Sequence, residues 1–143
     1  MSTTRVDKLT QSTKQANKIL YSDFMTNFTK HPETDQLVRL TNSEAIKRSV
    51  RNLILTNQGE RFFRPQIGCN LDSLLFEPMG AEVEDQMKLL IETAIRNYEP
   101  RALNTQVYVN GNYDTGRYTV TIVFEIINNP KPIILNVALD RVR

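Results

Sequence analysis

The pattern of apolar residues changes period once in this chain, and the change falls on a proline. Val83, Met87, Leu90, Ile91, Ala94, Ile95 and Tyr98 recur at the 3.6-residue period of an amphipathic helix. Glu82, Glu84 and Asp85 fall in its first turn, where the helix dipole favours negative charge. Beyond Arg101 the period is two. Leu103, Thr105, Val107 and Val109 share one face of a first strand; Tyr118, Val120, Ile122, Phe124 and Ile126 share one face of a second; Ile133, Leu135, Val137 and Leu139 mark a third. Pro100 has no N–H and disfavours an α conformation at Glu99, so the helix is expected to stop there. Short connections, a hairpin loop over 110–116 and a second over 128–132, favour antiparallel pairing of the strands. Helices first and strands last predict an α+β fold, two main amphipathic helices packed on one face of a small, mainly antiparallel sheet.

The first half of the chain is read from its punctuation. Thr41-Asn42-Ser43-Glu44 has the spacing of a capping box, with Thr41 as N-cap, and Ile46, Val50, Leu53 and Ile54 then form the stripe of a helix. Asn57-Gln58-Gly59 is expected to end that helix, with Gly59 free to take a left-handed cap. Residues 59–65 look like a short strand between Gly59 and Pro65, and Asn70 is placed to cap a short helix carrying Leu71, Leu74, Leu75 and Phe76. Residues 37–40 suggest another short strand. Tyr21, Phe24 and Phe28 come before any expected regular element and are expected to pack across the domain or onto a neighbour. Residues 1–18 are too polar to bury much surface, and they predict a flexible N-terminal arm ahead of one domain over 19–143.

Composition excludes several chemistries. The 143 residues are 40% hydrophobic and 24% charged, the balance of a soluble globular domain. No apolar run approaches the roughly 20 residues of a membrane span, and residues 1–18 lack the apolar stretch of a signal peptide, which points to a cytoplasm. A net charge of +2, with its Lys and Arg scattered, does not describe a nucleic-acid surface. Cys69 is the single cysteine and His31 the single histidine, so a zinc site or a Ser–His–Asp triad has little to build on. Cys69 reads as a buried structural thiol. There is no phosphate loop and no dinucleotide fingerprint, and no cofactor is expected. Glu60, Asp72, Glu77 and Glu99 are the carboxylates nearest structural punctuation, which is common at turns and caps and does not by itself make a hydrolase.

One local rule is broken. Glu99 puts a carboxylate at the negative end of the helix dipole, at a cost of about 0.3–1 kcal/mol if exposed. Arg101 carries the favourable charge, and the rigid Pro100 between them is expected to splay the two apart. A local rule broken beside fixed geometry marks a candidate functional site.

The block Gly59-Glu60-Arg61-Phe62-Phe63-Arg64-Pro65-Gln66-Ile67-Gly68-Cys69-Asn70-Leu71, then Leu74-Leu75-Phe76-Glu77, then Ala94-Ile95-Arg96-Asn97-Tyr98-Glu99-Pro100-Arg101 resembles the baseplate wedge, or sheath-initiator, family of contractile phage tails. That family includes tail protein W and the TssE baseplate component of type VI secretion. The resemblance runs from about Tyr21 onwards, and nothing in it carries over to the polar N-terminal arm. It implies a structural, non-enzymatic protein of the virion tail baseplate, assembled in the host cytoplasm with six copies around the tube. It also implies that Glu99, Pro100 and Arg101 dock on a helical bundle of larger wedge subunits. The strands after Leu103 would face the sheath protein and template its first ring, with tail tube proteins as a further neighbour. No nucleic acid, membrane or metal is implied. Some relatives carry the label lysozyme, so the alternative is a tail-associated peptidoglycan hydrolase.

Overall fold

The computed structural model describes residues 21–24, 28–127 and 129–141. The expected arm over 1–18 lies outside them. The order of elements is β1 (Ser22–Phe24), β2 (Arg39–Thr41), α1 (Ser43–Leu55), α2 (Asp72–Leu75), α3 (Ala81–Tyr98), β3 (Ala102–Asn112), β4 (Arg117–Ile126) and β5 (Asn129–Asp140). Strands β1 and β2 form an antiparallel pair, and β3, β4 and β5 form an antiparallel sheet in that order. The fold is α+β, as the change of period implies.

The alternating residues of β4 build the centre of the core. Tyr118, Val120, Ile122, Phe124 and Ile126 are all buried, and so are Val107 of β3 and Ile133, Val137 and Leu139 of β5. Ile46, Val50, Leu53 and Ile54 of α1 and Val83, Met87, Ile91, Ala94 and Ile95 of α3 close over them in one continuous apolar cluster. Each of the buried Val, Leu, Ile, Met and Phe side chains contributes about 1.5–3 kcal/mol through removal from water. Leu90 falls at the edge of the α3 stripe and stays partly exposed.

Several local expectations are corrected. Thr41 is the last residue of β2, paired with Ser22, so it cannot cap α1. Asn42 takes the N-cap position at φ 49° without a side-chain cap bond, and Glu44 pairs instead with Lys47 at 2.8 Å. The segment with Tyr21 and Phe24 holds a regular element, β1, tied in part by the Asn42 N–H donating to the Tyr21 carbonyl at 2.8 Å. Helix α1 stops at Leu55, earlier than Gly59, because Thr56 turns to an extended conformation. Asn70 does not cap α2; Leu71 holds the N-cap position, again with no side-chain bond. Residues 59–65 form turns and no strand: the Gly59 N–H donates to the Pro65 carbonyl at 2.8 Å and the Arg64 N–H to the Arg61 carbonyl at 3.2 Å, so the segment closes on itself.

In β3 the expected shared face of Leu103, Thr105, Val107 and Val109 is broken by a bulge. Leu103 opposes Glu125 while Gln106 opposes Val123, one extra residue on β3, and Asn104 takes φ 48°. The extra residue reverses the alternation, so Leu103 is exposed while Val107 is buried. The first hairpin loop narrows to residues 113–116, where Asn112 Oδ1 accepts the N–H groups of Asp114 and Thr115. The second connection is shorter than 128–132, since β5 already starts at Asn129. Pro130 and Pro132 therefore lie in an edge strand, where a missing N–H is tolerated.

Candidate partner-binding site

The chain leaves α3 through a tight turn. The Glu99 N–H donates to the Ile95 carbonyl at 2.8 Å, which closes the helix, and the Ala102 N–H donates to the Glu99 carbonyl at 3.0 Å. Pro100 thus occupies the second position of a four-residue turn, where its fixed φ is favoured. That turn brings Arg101 back over Glu99, so the two charges are not splayed as expected. Arg101 Nε donates to Glu99 Oε1 at 2.5 Å and an Arg101 terminal nitrogen donates to Glu99 Oε2 at 2.7 Å, a bidentate pair.

Two further elements complete the cluster. The Ser49 hydroxyl, from the middle of α1, donates to Glu99 Oε2 at 2.5 Å, and the Arg101 guanidinium also reaches Ser49 Oγ at 3.4 Å. The Tyr21 ring lies 5.2 Å from the guanidinium carbon, within cation–π range. Glu99 is 3% exposed, the one buried charged residue among those described, whereas the Arg101 side chain keeps 35% exposure and Pro100 faces solvent. Burial pushes the Glu99 carboxyl up, but the hydrogen bonds from Arg101 and Ser49 and the charge of Arg101 overcome it, leaving Glu99 below the ordinary glutamate range. The hydrogen bond to Glu99 in turn raises Arg101. The carboxylate is saturated from inside. What faces outward is a fixed guanidinium edge and a proline.

Neither Ser49 nor Tyr21 was marked by sequence reasoning as part of this site. Ser49 follows Ile46 by three residues and so borders the buried stripe of α1, which is the one signal that could have found it.

The other expected chemical groups lie elsewhere. Burial pushes the Cys69 thiol up to about 12, so it is a neutral packing group. His31 sits exposed in the loop between β1 and β2. Glu60 and Asp72 both accept from Asn57 Nδ2, at 3.2 and 2.5 Å, on an exposed surface. Among the described residues no cluster of His, Cys, Asp or Glu could hold a metal ion, and no helix is long and apolar enough to cross a membrane.

This arrangement of helices and sheet recurs in solved structures. It superposes on a putative tail lysozyme from Geobacter sulfurreducens with TM-score 0.66 at 22% identity, covering 73% of this chain and 96% of that one. A chain of the six-fold symmetrised anti-feeding prophage baseplate gives 0.59 at 20% identity, covering 86% and 87%. A chain of the type VI secretion baseplate complex gives 0.56 at 12%, covering 64% and 87%. The three share this chain's fold. Residues 41–131 match the profile of the baseplate wedge protein gp25 family. Over 89 residues the chain is 42% identical to baseplate wedge protein gp25 of Enterobacteria phage T4, covering 62% of this chain and 67% of the relative. Over 101 residues it is 29% identical to baseplate protein W of Escherichia phage P2, covering 71% and 87%. The chain belongs to the baseplate wedge protein gp25 family, whose role in the contractile tail is structural.

Proposed function

We propose that this chain is the wedge subunit that docks on a helical bundle of larger wedge proteins through Arg101 and Pro100, with Glu99 holding Arg101 in place. Its sheet then offers strand edges that template the first sheath ring. One observation carries the docking role: a guanidinium held in a bidentate clasp beside an exposed proline, with 35% of its side chain still accessible. Such a group meets a partner carboxylate or carbonyl with little ordering cost. Among the described residues no further strand lies beside β3 or β5, and a sheet edge of this kind is the usual acceptor for an added strand, which supports the sheath-facing role. Six copies around the tail tube, assembled in the host cytoplasm, complete the reading; the six-fold symmetry of the anti-feeding prophage baseplate supports that count.

The test is co-purification with the larger wedge proteins encoded beside it. Wild-type capture, weakened in a folded Arg101→Lys variant that keeps the charge and loses the fork, supports the site. Equal capture by both variants places the docking surface elsewhere. A tail-associated peptidoglycan hydrolase is the second reading, drawn from the putative tail lysozyme of similar fold and from the Glu60–Asn57–Asp72 arrangement. Peptidoglycan clearing that is lost on Glu60→Gln would favour it, and no clearing by the wild type would end it.

A further inference from the structure

We propose that the loop over residues 59–65 is a second docking point, at which Phe62 and Phe63 enter an apolar, carboxylate-rimmed cleft on another baseplate protein. The inference rests on the baseplate reading but uses residues outside the Glu99–Arg101 clasp. Phe62 is 98% exposed and Phe63 fully exposed, adjacent aromatics with no cover from their own domain. Large aromatics placed this way on a folded surface mark interaction sites.

The loop is built to present them. Its ends are tied by the Gly59 N–H to Pro65 carbonyl bond at 2.8 Å, and its root by the Cys69 N–H donating to the Thr56 carbonyl at 3.0 Å. Gly68, at φ 141°, lets that root close: a Cβ there would stand 2.4 Å from the Thr56 carbonyl oxygen. A cavity of about 170 Å³ lies between the root, at Gln58 and Gly68, and Leu90, Thr93, Asn97 and Tyr98 of α3, so the root sits beside the C-terminal half of that helix.

Charge identifies the occupant. Glu60 is exposed, but its carboxylate is engaged by Asn57, Oε2 accepting the Asn57 N–H at 3.0 Å and Oε1 the Asn57 side-chain amide at 3.2 Å. Arg61 and Arg64, both exposed, flank the aromatic pair and enter no ion pair among the described residues. The tip is thus apolar at its centre and basic at its rim, and its complement is an apolar cleft edged by Asp or Glu. The chain's own first 20 residues do not fit, since Arg5, Lys8, Lys14 and Lys18 outnumber Asp7. A symmetric contact with a second copy would crowd four guanidinium groups together. Two aromatics and two arginines are also a weak membrane anchor, where stable attachment takes a larger apolar face or a second signal.

The experiment titrates full-length wild type, Phe62→Ser/Phe63→Ser, Arg61→Glu/Arg64→Glu and Arg101→Lys against a complex reconstituted from the larger wedge proteins encoded beside it. The aromatic double variant is expected to bind at least about tenfold more weakly with an unchanged melting temperature. The charge-reversed variant is expected to bind more weakly too, with a reduced response to salt. Wild-type binding by both loop variants overturns the proposal, and if Arg101→Lys alone weakens binding, the baseplate reading stands without it. No binding by the wild type removes both. Attachment to phosphatidylglycerol vesicles that depends on Phe62 and Phe63, with wedge binding untouched, also overturns it.

Discussion

Phe124, in the middle of β4, is 1% exposed, while Phe63, in the 59–65 loop, is wholly exposed. The sheet face and the loop therefore use one side chain for opposite ends. On the sheet, apolar surface is consumed by folding, in contact with α1 and α3. In the loop, main-chain hydrogen bonds and the Glu60–Asn57 contact hold the shape, and the apolar surface is left over. The clasp at Glu99 and Arg101 is intermediate: its carboxylate is spent internally and its guanidinium only in part. Surface a fold does not consume is what an assembly subunit has to offer a partner.

The largest effect should come from the consumed surface. Phe124→Ala removes a buried aromatic from the centre of the cluster and is expected to cost about 3–5 kcal/mol in urea unfolding. A cost near zero would mean that the sheet face does not carry the stability assigned to it.

The clasp comes next. Arg101→Ala leaves a buried carboxylate with Ser49 as its remaining side-chain partner. Removing one member of a buried pair costs about 3–5 kcal/mol, and the partial exposure of Arg101 scales this down to about 1–3 kcal/mol. Glu99→Leu/Arg101→Met should recover stability relative to Arg101→Ala, because no unpaired charge remains. A double-mutant cycle in urea gives the coupling directly, and a coupling of zero would reduce the clasp to an incidental contact.

Acid should act on the same pair. Glu99 holds its proton less tightly in the folded chain than the ordinary value of 4.5 for the free side chain. The clasp's contribution is therefore complete above that value and is lost as the pH falls through the lower folded value. Urea midpoints of the wild type should drop across that acid range, and those of Glu99→Gln should drop less. Parallel curves would show that other carboxylates set the acid limit.

The sheet and both long helices were legible because burial on one face imprints a period on the sequence, and Tyr118 through Ile126 show it without interruption. The β3 bulge was not, since an extra residue near Asn104 shifts the register without altering the local apolar pattern. Thr41 lost its capping role to a pairing with Ser22, a contact that local spacing does not encode. Glu99, Pro100 and Arg101 were legible as an anomaly, but their geometry was not. The proline that ends α3 also sets the turn that folds Arg101 back, and Ser49 reaches Glu99 from 50 positions away. The loop was misread as a strand because Phe62 and Phe63 favour strands in isolation. A strand needs a neighbour, and here Gly59 pairs with Pro65 instead.

The smallest effect belongs to that loop. Phe62→Ser/Phe63→Ser removes two aromatic rings that touch water on nearly all sides, so thermal and urea stability should stay within about 0.5 kcal/mol of wild type. The loop's shape is carried by main-chain bonds at Gly59, Pro65, Thr56 and Cys69, none of which needs either ring. A loss larger than about 1 kcal/mol would mean that the rings fold onto the domain in solution, since only desolvated apolar surface contributes on that scale. The contrast with Phe124 would then disappear, and with it the argument that this loop holds surface in reserve for a partner.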